Sequence, residues 1–189
     1  MTLDDITVDG VGYWSLTISF LAADVGLLAA IASGPGSSRR WLAVAKWSVY
    51  ALTAMLTVAL MALLAALLDD NFHLSYVASY SEKRLPAGYK IAAIWAGQEG
   101  SLLLWAWMVA GMSSAVLAFR GRESVKNQAA TTAILAGFVG LFCALILFTA
   151  NPFKPVTGPD PVDGQEMSPL LQDPAMVLHP PALDRKSVV

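Results

Sequence analysis

Long apolar runs, separated by short polar stretches, dominate the first 150 residues of the chain. A bilayer core of about 30 Å is crossed by about 20 mostly apolar residues in a helix, because each residue rises about 1.5 Å. Four runs reach that length: residues 13–33, 41–68, 91–119 and 129–149. The pattern predicts an all-α integral membrane protein with about four transmembrane helices.

The composition agrees with a membrane protein and indicates which classes of partner to expect. Hydrophobic residues make up 56% of the chain and charged residues 14%, with a mean hydropathy of +0.57, which is unlike a water-soluble domain. The net charge is -2 and the basic residues are scattered, so the chain lacks the basic surface that nucleic acid requires. We expect membrane lipid as a partner and no nucleic acid.

Two regions are predicted. Residues 1–150 form the transmembrane region, whereas residues 151–189 hold eight of the ten prolines and no apolar run that could cross a bilayer. We expect this proline-rich C-terminal segment to pack on the outer, extracytoplasmic face, with short helical turns where a capping residue precedes Pro169 and Pro174.

Lysine and arginine near the ends of spans mark the cytoplasmic side of a membrane protein. The N-terminus is acidic rather than basic, so we expect no signal peptide and a retained first span. The two short loops and the span ends beside them carry six basic residues: Arg39, Arg40, Lys46, Arg120, Arg122 and Lys126. The longer loop and the segment after the fourth span, on the other side, carry four: Lys83, Arg84, Lys90 and Lys154. The bias favours both termini outside the cytoplasm.

Gln98 and Glu99 interrupt the third apolar run. A charge at the centre of a bilayer costs about 3 kcal/mol or more, so Glu99 should face protein or a cavity, or be protonated. In a simpler interpretation the two residues bond across a helix contact, because Ala93, Gly97 and Ser101 are four apart and form a small-residue face. Both interpretations remain open at this point.

Other polar residues allow further hypotheses. Asp24 in the first span pairs with another helix or is neutral, and with Glu99 it could form the relay of a small transporter or proton-conducting subunit. Lys46 can extend to the cytoplasmic headgroups. The single cysteine, Cys143, lies in an apolar run and is interpreted as a small buried hydrophobe, so no disulfide, CxxC pair or CxxCH site exists within the chain.

The two histidines differ in their surroundings. His73 follows Phe72 in the long loop and is interpreted as a surface residue. His179 is followed by Pro180 and Pro181, which restrict the backbone beside a side chain that can ligate a metal such as haem iron. A lone histidine by itself does not establish a metal site.

Two sets of strings in this chain are specific enough to indicate a family. The first is WAGQEGSLLLW, from Trp95 to Trp105, preceded by Tyr76-Val77-Ala78, Leu85-Pro86 and Tyr89-Lys90. The second set follows the fourth span: Asn151-Pro152-Phe153, Asp163-Gly164, Pro169-Leu170-Leu171-Gln172-Asp173-Pro174 and His179-Pro180-Pro181. In residues, order and spacing these strings resemble the amino-terminal part of the cytochrome c maturation haem lyase family, CcmF, with Ser168 a mild departure from the asparagine usual in the family.

The resemblance implies a role in cytochrome c biogenesis, as part of a haem lyase complex that binds haem at the periplasmic membrane face for covalent attachment to apocytochrome c. It implies His179 as an axial ligand of b-type haem iron, with further cofactor-binding residues Pro180, Pro181, Trp95, Gln98 and Glu99. Other maturation proteins would be partners, and the location would be the bacterial inner membrane, with multiple passes and both termini periplasmic.

The chain also departs from the family. The tryptophan-rich motif, the second flanking histidine and the helix that follows the His-Pro-Pro string lie beyond Val189. We therefore expect a split or truncated gene product that supplies a partial haem site, needs the missing remainder of the haem lyase and is not an active enzyme alone. A fragment without independent activity is the remaining alternative.

Overall fold

The computed structural model describes residues 8–33, 39–119 and 124–165, and these residues are helical apart from loops and one isolated bridge between Leu74 and Pro155. In chain order the helices are α1 (Val8–Ala32), α2 (Arg39–Leu68), α3 (Ser75–Tyr80), α4 (Ala87–Ala92), a 3-10 turn (Ala93–Trp95), α5 (Gln98–Phe119) and α6 (Val125–Phe148). Among them α1, α2, α5 and α6 are long and apolar enough to cross a membrane. The prediction of about four transmembrane helices is confirmed.

The spanning helices pack through small residues and leucines. Helix α1 lies along α2 and α6, and α5 lies against α2 and α6. Gly26 of α1 faces Ser48 and Ala136, and Gly140 of α6 faces Ala23, so the backbones approach closely. Fully buried side chains such as Leu16 and those on the other three spanning helices fill the centre: Leu52, Leu56, Leu63, Leu103, Val139 and Ile146.

The outward face of the bundle is apolar, as a surface in contact with lipid requires. Large side chains that would be costly in water are exposed along all four spanning helices, among them Leu28, Trp47, Met112 and Ile134. Such a continuous exposed apolar surface is unusual for a water-soluble monomer. It is the surface expected where lipid tails replace water as the solvent.

The third apolar run, expected as one helix from residue 91, is divided in the structure. Helix α4 ends at Ala92 and the 3-10 turn that follows it ends at Trp95, and α5 begins only at Gln98. A Cβ atom at Gly97 would meet the rings of Tyr76 and Tyr80, so the glycine lets α3 pack into the break. Gly97 therefore packs against tyrosine rings and not against another spanning helix, and Glu99 lies in the first turn of α5 rather than within a continuous helix.

One end of the bundle gathers the longer connections, and we call it the loop face. It comprises the start of α1, residues 69–97 and residues 149–165. A Cβ atom at Gly12 would meet the ring of Phe153, which brings the first and last of these parts together. The end of α1, the start of α2, the end of α5 and the start of α6 lie at the opposite end.

Residues 151–165 cross the loop face without forming a helix, through several turns and bends, and we call them the strap. The amide of Ser75 donates to the carbonyl of Lys154 at 2.9 Å, and the amide of Val156 donates to the carbonyl of His73 at 2.8 Å. At the far end the amide of Gln165 donates to the carbonyl of Ala78 at 2.7 Å. The strap is thus held along α3 by backbone hydrogen bonds.

Candidate functional site at the loop face

Three of the sequence-predicted site residues meet at the start of α5. Trp95 ends the 3-10 turn and is half-buried, Gln98 is exposed as the first residue of α5, and Glu99 is half-buried one position later. The predicted haem-iron ligand, His179, and its neighbours Pro180 and Pro181 lie outside the described residues. The described part of the predicted site is therefore a short polar turn at the loop face.

Tyr76 holds this turn in place. Its buried hydroxyl donates to the carbonyls of Ala93 (2.8 Å) and Ile94 (3.1 Å) and accepts from the amide of Gly97 (3.1 Å). The helix is broken there, so the amide of Gly97 bonds to Tyr76, while the carbonyl of Ala93 accepts from Tyr76 in addition to the amide of Ala96 (3.1 Å). Burial raises the pKa of Tyr76 above its usual range, so the hydroxyl keeps its proton and acts as a donor.

A polar cleft of about 120 Å³ opens beside Tyr76. Its lining comes from α3, the first turn of α5 and the segment after α6: Ser75, Tyr76, Ser79, Tyr80, Glu99, Thr149, Asn151 and Lys154. Burial, and then the charge of Glu99, raise the pKa of Tyr80. The cleft therefore combines a carboxylate, an ammonium group and neutral hydroxyls.

The strap also carries two polar contacts with the loop. Nδ1 of His73 lies 2.9 Å from a carboxylate oxygen of Asp160, and the hydrogen bond and charge of Asp160 raise the pKa of His73. The amide of Lys83 donates to Asp163 at 3.0 Å, which lowers the pKa of that carboxyl group. His73 is a surface residue, as its sequence context predicted, and it takes part in anchoring the strap.

The charged residues of the spans occupy separate places. Nζ of Lys46 donates to Oε1 of Gln128 on α6 at 2.6 Å, so this lysine bonds to another helix. Asp24 lies near Cys143, twelve residues along α1 from Gly12, or roughly 18 Å from the loop face at 1.5 Å per residue. The structure therefore does not bring Asp24 together with Glu99, and no contact between these two residues supports the hypothesis of an intramembrane relay.

The described residues do not enclose a porphyrin by themselves. Within residues 8–33, 39–119 and 124–165 there is no group of three side chains that could hold a metal ion. The polar cleft has a volume of about 120 Å³, whereas pockets that bind small molecules usually have at least about 300 Å³. The described residues therefore do not form a complete haem site.

Sequence reasoning did not assign the roles of Tyr76, Tyr80 and Lys154. The tyrosines precede Glu99 by about 20 residues and Lys154 follows it by more than 50. Only the string around Tyr76 carried a signal, as part of the family resemblance, and it indicated no chemistry. Their meeting in one cleft depends on the strap and the broken third run.

Comparisons with known proteins agree on one group of relatives. The chain is 36% identical over 167 residues to the cytochrome c-type biogenesis protein CcmF of Escherichia coli (strain K12), which covers 86% of this chain and 26% of that protein. CcmF of Pseudomonas aeruginosa is 36% identical over 145 residues, covering 77% of this chain and 22% of the relative. The biogenesis protein ccl1 of Rhodobacter capsulatus is 32% identical over 173 residues, covering 91% and 26%.

A solved structure supports the same relationship at the level of the fold. The structure named cytochrome c haem lyase CcmF matches with a TM-score of 0.74 and 24% sequence identity, covering 84% of this chain and 27% of that chain. No protein-family model matches the sequence. The chain spans about a quarter of the length of the relatives that it matches.

Proposed function

This chain corresponds to the amino-terminal portion of the CcmF family of cytochrome c-type biogenesis proteins, and we propose that it acts in cytochrome c biogenesis as one part of a haem lyase complex. The observation that carries the proposal is a sequence match with CcmF over most of this chain. The shared helical fold gives independent support. The remainder of the lyase would be supplied by further polypeptide, with other maturation proteins as partners.

Haem enters the proposal as the substrate that is presented at the loop face. The reaction joins its vinyl groups to the two thiols of a CxxCH motif, and the apocytochrome supplies those thiols. On this chain we assign His179 as an axial ligand of b-type haem iron, with Pro180 and Pro181 restricting its backbone. Trp95, Gln98 and Glu99 would line the adjoining surface.

The course of the strap supports this assignment. Gln165, the last described residue, is bonded to Ala78 on the loop face, and His179 follows fourteen residues later. An anchored segment loses less entropy on binding than a free one. The strap would therefore start the segment that carries His179 from a fixed point on the loop face.

The proposed location is the bacterial inner membrane, with the loop face and both termini periplasmic. The opposite end of the bundle carries Arg39 and Arg40 at the start of α2 and Lys126 at the start of α6. Basic residues near the ends of spans are retained on the cytoplasmic side. A cysteine introduced at exposed Thr157 of the strap should react with an impermeant thiol reagent added from the periplasm, and labelling only from the cytoplasm would reject this orientation.

The test of the function is haem attachment in cells. Cells that lack this chain should lose covalent haem from their c-type cytochromes, measured by haem staining after denaturing electrophoresis, and the intact chain should restore it. Normal cytochrome levels without the chain would contradict the proposal.

The ligand assignment needs a separate measurement. The chain, purified together with the rest of the lyase, should show a haem absorption band that is lost in His179→Ala. The matched control is His73→Ala, which removes the other histidine; the band should persist in it, because the contact of His73 with Asp160 is half-exposed and contributes little to the anchoring of the strap. An unchanged band in His179→Ala would overturn the assignment without affecting the cell-based test.

A further inference from the structure

The polar cleft contains two opposite charges that are not used within the protein. Glu99 is half-buried and makes no hydrogen bond or ion pair in the part of the chain that the structure describes. Lys154 lines the same cleft, is exposed and likewise has no side-chain partner among those residues. The two groups do not pair with each other, so both remain open to a ligand that carries a positive and a negative group.

The tyrosines give the Glu99 side of the cleft a preference for an ammonium group. The rings of Tyr76 and Tyr80 lie 4.9 Å apart between centroids, and the Tyr80 hydroxyl has no partner within the described residues. A primary ammonium group donates well to a carboxylate and a phenol oxygen, and aromatic faces attract it further. A bare anion would instead be repelled by Glu99.

The position of the cleft indicates where such a ligand would come from. Glu99 lies in the first turn of α5 and Thr149 directly follows the end of α6, so the cleft opens at the boundary of the membrane-spanning region. Lipid headgroups occupy this level of the bilayer. The volume of about 120 Å³ suits a short polar group rather than a large cofactor.

We propose that this cleft binds the headgroup of phosphatidylethanolamine, with the ammonium group at Glu99 and Tyr80 and the phosphate at Lys154. The assignment shares Glu99 with the surface proposed for haem, but it does not rest on haem binding or on the proposed lyase function, and its test measures lipid retention alone. Phosphatidylglycerol would leave Glu99 without a counter-charge. Phosphatidylcholine offers no N–H donor to the carboxylate or the phenol oxygen.

The experiment uses nanodiscs that contain equal parts of phosphatidylethanolamine, phosphatidylcholine and phosphatidylglycerol. The protein is released from them into detergent, and the retained lipids are counted by native mass spectrometry. We expect phosphatidylethanolamine to be enriched, and Glu99→Gln to reduce its affinity by roughly tenfold, the loss typical of a hydrogen bond to a charged group. The matched control is Glu82→Gln, a loop-face carboxylate outside the cleft, which should retain the enrichment.

Two further arms keep the proposal testable. Lys154 is exposed, so Lys154→Gln should fold even if Glu99→Gln does not, and it should also weaken retention. Soluble glycerophosphoethanolamine should displace the lipid, because it carries the same headgroup. Equal retention of the ethanolamine and choline lipids, an equal loss in Glu82→Gln, or binding of the soluble compound without retention of the lipid would each overturn the assignment.

Discussion

Nζ of Lys90 lies 2.6 Å from both carboxylate oxygens of Asp70, and the lysine side chain is only 8% exposed. The pair joins α4 to the residues that follow α2, and it closes the loop face between two elements that are twenty residues apart. Removing one partner of a mostly buried pair leaves the other charge without compensation.

Lys90→Met should therefore lower the free energy of unfolding by roughly 3 kcal/mol. The measurement is the unfolding transition of the purified protein in detergent, followed by circular dichroism. Lys126→Met, which removes an exposed lysine from α6, is the matched control and should change stability little. An equally small effect for Lys90→Met would show that the pair does not stabilise the loop face.

Gly12 and Phe153 test how the strap is seated on α1. A Cβ atom at Gly12 would overlap the buried ring of Phe153, so Gly12→Ala should destabilise the protein by about 1–3 kcal/mol despite the higher helix propensity of alanine. Gly111→Ala in α5 is the control, because nothing lies within 4 Å of its Cβ position, and it should be neutral or stabilising.

A double substitution separates overlap from other causes. Phe153→Ala alone should cost about 3 kcal/mol, because a large buried side chain is lost. If the ring of Phe153 overlaps the added methyl group, Gly12→Ala should lower the free energy of unfolding clearly less in the Phe153→Ala background than in the unmodified protein. Additive effects of the two changes would contradict the contact.

Tyr76→Phe tests the break before α5. Loss of the hydroxyl leaves the amide of Gly97 and the carbonyl of Ala93 without this partner, which should cost about 1–3 kcal/mol. Hydrogen exchange at the Gly97 amide should accelerate as well. Tyr80→Phe removes a neighbouring hydroxyl that bonds to none of these groups, so unchanged exchange is expected there; equal acceleration in both variants would argue against the role of Tyr76.

The contact between His73 and Asp160 should make the strap sensitive to pH. Asp160 raises the pKa of His73 above its ordinary 6.5, so the folded state binds the proton more tightly than the unfolded state. The stabilisation is fully present below about pH 6.5 and is lost as the pH rises through the higher folded-state value. Because both side chains are about half exposed, the effect should stay below about 1 kcal/mol.

Limited proteolysis of the strap over a pH series measures this effect. Cleavage between residues 156 and 163 should become faster from pH 6 to pH 8, and Asp160→Asn should remove most of that dependence. A pH profile that is the same in both proteins would exclude His73 as its source.

Much of the architecture followed from hydrophobic length alone. Lipid offers no hydrogen bonds, so apolar runs of about 20 residues form helices whatever their neighbours are, and four such helices were expected and found. The cost of a charge in lipid likewise directed attention to Glu99, which lines a polar cleft in the structure.

The interruption of the third run shows where such reasoning stops. The apolar pattern predicts an unbroken helix through Ala96 and Gly97. Hydropathy contains no information about Tyr76, about twenty residues earlier, whose hydroxyl bonds to backbone groups at the break. The same applies to Lys154, which reaches the cleft only through the strap. The sequence by itself determined the number and the approximate positions of the spanning helices, because burial in lipid is a local property of each run. The tertiary structure decided the break, the strap and the cleft, because each depends on hydrogen bonds and contacts between segments that are distant along the chain.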